Sequence, residues 1–69
     1  MATTMRPSWY ELRDAIVGRD FTIAATWVHM DPDLIKKTNS IGETVLHFLA
    51  AENDALGVAW LHEQGADIN

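Results

Sequence analysis

Apolar residues recur along this chain at spacings of three and four, in short stretches separated by polar turns. The first stretch holds Trp9, Leu12, Ala15 and Ile16, which share one face of a helix. Ser8 and Glu11 stand in front of it at capping-box spacing. Gly18 is expected to end this helix as a left-handed cap. Asp20 opens a second helix that runs to about His29. Its apolar residues, Ile23, Ala24, Trp27 and Val28, form a wide buried stripe, and Phe21 is expected to pack back on the preceding turn. Asp31-Pro32 stops the helix, because a residue before proline is pushed out of the α region. Leu34 and Ile35 follow in a loop and are expected to fold back over the helix ends. The polar run 36–42 is turn material. Thr44 caps a third helix over 45–51, with Leu46, Leu49 and Ala50 facing inward. Asn53-Asp54 is the next turn, and Asp54 caps a fourth helix carrying Leu56, Val58, Trp60 and Leu61. Gly65 closes that helix. The pattern is all-α.

The chain also resembles itself. Trp27-Val28-His29 overlies Trp60-Leu61-His62 at an offset of 33, and Leu12 overlies Leu46 at an offset of 34. Self-similarity at such a period, built from helix pairs, marks a solenoid repeat. One helix pair cannot bury its apolar face alone, so the units stack.

The second unit is the more specific. Asn39, Gly42, Thr44, Leu46 and His47, then Ala50, Val58, Leu61 and Gly65-Ala66-Asp67-Ile68-Asn69, resemble the motif of an ankyrin repeat across residues 39–69. Three positions depart from it. Val45 stands where the family has proline, so the helix start loses a fixed backbone angle. Leu49 replaces a small alanine and is expected to push the neighbouring helix outward. Asn53 replaces glycine, and asparagine tolerates a left-handed backbone. Residues 8–38 resemble a degenerate first repeat of capping type. They keep the helix pair without the Gly-x-Thr-Pro-Leu-His motif, and polar Arg13 and Asp14 stand at the positions of His47 and Phe48. The resemblance implies two stacked helix pairs of a helix-turn-helix solenoid; the end before them, residues 1–7, carries no helical periodicity and is expected to be disordered. The resemblance implies a structural role for Gly42, Thr44, Leu46, His47 and Gly65, with the His47 ring stapling backbone groups of the turns. It also implies a non-catalytic protein-interaction module. Its contact positions fall on Ser40, Ile41, Glu43, Phe48, Ala51 and Glu52. Ile41 and Phe48 are apolar where the repeat does not need them for its own core, although Phe48 also suits packing against a neighbouring repeat.

Composition narrows the function classes. The chain has 69 residues, a formal charge of −5, no cysteine and three histidines. A chain of this size buries only about 60% of its unfolded surface, so its core is marginal. Without cysteine there is no disulfide framework and no thiolate metal site. The negative charge and scattered basic residues oppose a nucleic-acid surface. No apolar run is long enough to span a membrane, and no secretory signal is visible at the start. A cytoplasmic address is therefore expected.

Candidate chemistry is thin. His29, His47 and His62 form no close ligand pair. His29 and His62 stand near helix C-termini, where an imidazolium is favoured by the helix dipole. The carboxylates read as caps and solvated faces, and neither a nucleophile elbow nor a phosphate loop is present. No cofactor or metal is expected, and a hydrolase or metalloprotein has little support. The rival to partner binding is structural: the N-terminal piece of a longer solenoid, or a homodimer through an open last face. On that reading Leu49, Leu56 and Trp60 form the exposed end of the stack.

Overall fold

The structure, a computed structural model, describes residues 7–66. These form four α-helices and one 3₁₀ turn: α1 (Trp9–Val17), α2 (Phe21–Met30), the 3₁₀ turn (Pro32–Lys36), α3 (Val45–Ala51) and α4 (Ala55–Glu63). No strand occurs among the described residues. Helix α1 packs on α2, α3 packs on α4, and α1 lies against α3. The molecule is thus two helical hairpins joined by the 3₁₀ turn and the polar stretch after it.

Local chemistry starts each helix. Ser8 Oγ accepts from the Glu11 amide, and Glu11 Oε1 accepts from the Ser8 amide at 2.7 Å, completing the capping box. Asp20, Thr44 and Asp54 accept from the amides of Ile23, His47 and Gly57. Helix α2 ends at Met30, one residue past the expected end and directly before Asp31-Pro32.

The helix ends repeat one design. After α1, the Asp20 amide donates to the Ala15 carbonyl and the Arg19 amide to that of Ile16. After α3, Asp54 donates to Leu49 and Asn53 to Ala50. After α4, Ala66 donates to Leu61 and Gly65 to His62. Each is the pair of reversed bonds of a Schellman motif, which satisfies the last carbonyls of a helix. The motif needs one left-handed residue, and these are Arg19, Asn53 and Gly65, with φ of 64°, 62° and 100°. Asn53 and Gly65 agree with expectation. Gly18 does not: it is right-handed at φ −78°, and Arg19 takes the left-handed position one residue later. Gly18 is the C-cap residue of α1, and its amide still makes a helical bond to the Asp14 carbonyl at 2.9 Å.

The core runs through both hairpins. Leu12, Ile16, Leu34, Leu46, Leu49 and Leu61 are fully buried, together with Val45. Each such aliphatic side chain contributes roughly 1.5–3 kcal/mol relative to exposure. The expected loop at Leu34 and Ile35 is an ordered 3₁₀ turn that touches α1, α2 and α3, with both side chains buried. Pro7, expected in the disordered end, is also buried.

Three packing expectations need correction. Ala50 is exposed and Val45 takes its place inside, because a short α3 buries only the side turned to α1 and α4. Leu49 faces inward as its helix pattern says, and is not at the exposed end of the stack where the structural reading put it: it is 0% exposed. Its bulk fits because α4 carries no side chain opposite it: a Cβ on Gly57 would lie 3.1 Å from Leu49 Cδ1 and 3.0 Å from Ile16 Cγ2. Trp60 is only half-buried, and its ring stacks on Phe21 at 5.3 Å. Phe21 thus reaches across to α4. Leu56 is 56% exposed, as expected.

Candidate interaction surface

The turn over residues 39–43 is built on one side chain. Asn39 Oδ1 accepts from the amides of Ile41 and Glu43, at 3.1 and 2.9 Å. The Asn39 backbone donates to the Glu43 carbonyl and accepts from Gly42, so the loop is closed twice. Gly42 has φ 83°, a left-handed value that glycine reaches without a Cβ clash. Asn39 Nδ2 also donates to Glu43 Oε1 at 3.2 Å. The same Glu43 carbonyl accepts from the Trp9 indole at 2.9 Å. Trp9 is almost fully buried, so this bond anchors the second hairpin's leading turn on the first turn of α1. Ile41 sits at the tip, 76% exposed.

Beside this anchor lies a mixed cluster. Phe48 of α3 meets Trp9 edge-on, with centroids 5.6 Å apart. The Arg13 guanidinium lies within 5.7 Å of the Trp9, Tyr10 and Phe48 ring centroids and bonds Asp14 Oδ1 at 2.8 Å. A cation near ring faces is held electrostatically as well as by its carboxylate. Phe48 is therefore half-buried and works in the joint between α1 and α3.

A groove of about 480 Å³ continues between α1 and α3 towards the hairpin turns. Phe48 and Val17 supply its apolar part, with Val17 52% exposed. Its far end is closed by Arg19 and Asp54. The guanidinium spans both carboxylate oxygens, at 2.9 and 3.1 Å, and also donates to the Ile16 carbonyl. Asp54 Oδ1 additionally caps α4 through the Gly57 amide. The Arg19 hydrogen bonds, then the Gly57 amide, hold the Asp54 carboxyl below its usual pKa, against an opposing effect of burial.

The residues expected to contact a partner do not form one uniform surface. Ser40, Ile41, Ala51 and Glu52 are exposed. Glu43 is half-buried and its polar groups serve the turn. Gly42, Thr44, Leu46 and Gly65 hold turn, cap, core and helix end, respectively. Asp67, Ile68 and Asn69 lie outside the described residues, as do residues 1–6.

Sequence reasoning missed Arg13, Val17, Arg19 and Gly57. The Arg19–Asp54 pair spans 35 positions, and no local spacing rule pairs residues so far apart. The signal for Gly57 is that an isolated glycine inside a helical pattern marks a close packing contact. Among the described residues no helix is long and apolar enough to cross a membrane. Compared with protein-family models, curated proteins and solved structures, the chain finds no match.

Proposed function

We propose that this chain is a non-catalytic protein-interaction module of two ankyrin-like helix pairs, which contacts its partner through the 39–43 turn and the α1–α3 side. One observation carries the reading: Ile41 is an exposed apolar side chain on a turn that Asn39, Gly42 and the Trp9 indole hold rigid. A rigid apolar tip loses little conformational entropy on binding, so its burial converts to affinity with less loss. The repeated Schellman turns support the two-unit description, because equivalent residues end α1 and α3 in the same way.

The test uses exposed positions only. Phe48→Asp is unsuitable, since that ring packs on Trp9 and its loss perturbs the fold. Proteins captured by the wild-type chain are compared with those captured by Ile41→Asp and Ala51→Glu, after thermal melts confirm unchanged stability. Loss of a partner in both variants, with retention in Leu56→Asp, supports the reading. Undiminished capture by both variants would sink it.

A second reading rests on Leu56, which is exposed beside the half-buried Trp60 on α4. An apolar patch of this kind suits self-association through α4, either with a second copy or within a longer helical stack. Sedimentation velocity decides: concentration-dependent association that Leu56→Asp abolishes favours this reading, and a monomer at high concentration opposes it.

A further inference from the structure

The α1–α3 groove carries more information than its shape. Two arginines and three carboxylates line it. Both arginines are engaged inside the molecule. Arg13 is bonded to Asp14 and surrounded by three rings. Arg19 is bound to both oxygens of Asp54 and to a backbone carbonyl. Of the carboxylates, Glu52 has no ion pair among the described residues, and Asp14 uses only Oδ1. The groove thus presents acidic groups with free acceptor capacity beside apolar surface at exposed Val17 and half-buried Phe48. The whole chain adds a field of the same sign, with a formal charge of −5.

From this we infer that the groove takes a basic, aliphatic segment of a partner protein, with a Lys or Arg pairing with Glu52 and a neighbouring aliphatic side chain lying over Val17 and against Phe48. The inference rests on the partner-binding reading above and adds the chemistry of the partner. Charge selects this occupant. Anionic membranes and nucleic acids are repelled, and an acidic peptide meets no free cation in the groove. The groove volume lies within the range of roughly 300–1,000 Å³ typical of binding clefts, enough for a few side chains.

The experiment titrates the isotope-labelled 69-residue chain with three synthetic peptides of equal length. The first combines leucine with lysine, the second leucine with glutamate and the third leucine with glutamine. The Leu/Lys peptide should give saturable NMR shifts at the amides of Val17, Phe48 and Glu52 that weaken as salt is raised. Glu52→Lys, which turns the pairing into like-charge repulsion, should reduce its affinity about fivefold, the upper end of the range for one ion pair on an exposed surface. This variant is compatible with folding, since a cation at the α3 C-terminus is favoured by the helix dipole. Asp33→Lys makes the same change in net charge outside the groove and should leave affinity within about twofold, separating local pairing from the overall field. Equal losses in the two variants would overturn the inference. So would equal binding of the Leu/Glu or Leu/Gln peptide, or no saturable shift at these amides. Groove shifts that follow protein concentration without peptide would assign the groove to a second copy and overturn it as well. The failure remains separable from failure of the wider reading, because partner loss in Ile41→Asp would still stand.

Discussion

The two hairpins make the same turn from different chemistry. After α1 the left-handed residue is Arg19; after α3 it is Asn53, with nearly the same φ. Asparagine adopts this conformation readily, whereas for most side chains it costs roughly 1–2 kcal/mol. Arg19 holds the conformation while its guanidinium grips Asp54 and the Ile16 carbonyl. The caps that follow differ as well. Among the described residues the Asp20 carboxylate accepts only from the Ile23 amide, while that of Asp54 caps α4 and also receives Arg19. Three residues after each cap stand Ile23 and Gly57. Ile23 is half-buried, but Gly57 lies against Ile16 and Leu49, where α4 closes on α1 and α3. The first turn thus reaches the second hairpin through a long side chain, and the second fits against the first by a close backbone approach at Gly57.

Substitution at Gly57 should give the largest break in this comparison. A Cβ there lies 2.9–3.1 Å from Asp54, Ile16 and Leu49. Gly57→Val should therefore lower stability by about 1–3 kcal/mol, the usual range for overpacking. Gly57→Ala should fall near neutral, because alanine gains up to about 1 kcal/mol of helix propensity that offsets the crowding. Urea unfolding followed by circular dichroism measures both.

The caps come next. Asp54→Ala should cost about 1–2 kcal/mol and Asp20→Ala about 0.5–1 kcal/mol, since only the first removes a second set of bonds. This difference should depend on pH. The folded-state pKa of Asp54 is depressed, so its contribution is complete above the unfolded value and is lost as pH falls through the folded one. Thermal melts from neutral to strongly acidic pH should show the gap between the two variants closing below the ordinary carboxylate pKa.

Arg19→Asn should have the smallest effect, within about 0.5 kcal/mol. It relieves the left-handed backbone and removes a partly exposed ion pair, two effects of similar size and opposite sign. A large loss would mean that the Arg19–Asp54 clamp, rather than the core, holds the hairpins together.

The caps and helix stripes were legible because each rule behind them spans only a few residues. Ser8 with Glu11, Asp20, Thr44 and Asp54 act as their spacing says. So did the αL tolerance of Asn53. The joint between hairpins was not legible. The Trp9 indole bond to Glu43, the Arg13 cluster and the Gly57 contact all depend on where α1 and α3 meet. Helix patterning placed Leu49 inward, and the stack-end reading that exposed it fails because Gly57 of α4 leaves room for its side chain. Of the expected contact residues, Ile41 kept its exposure because turn tips project by local geometry. Phe48 is half-buried because Trp9 and Arg13 reach it from the other hairpin.

Two equivalent turns, in hairpins joined by the Trp9–Glu43 bond, the Arg19–Asp54 pair and a shared core, form the base on which the proposed binding surface rests. Native-state hydrogen exchange at the Asp20 and Asp54 amides tests this directly, since each closes the Schellman turn of its hairpin. In the wild type both amides should exchange with the same opening free energy. In Trp9→Phe, which removes the indole bond, both should fall together by about 1–2 kcal/mol. Exchange at Asp20 that stays unchanged while Asp54 falls, or the reverse, would show that the hairpins open independently and would contradict the account.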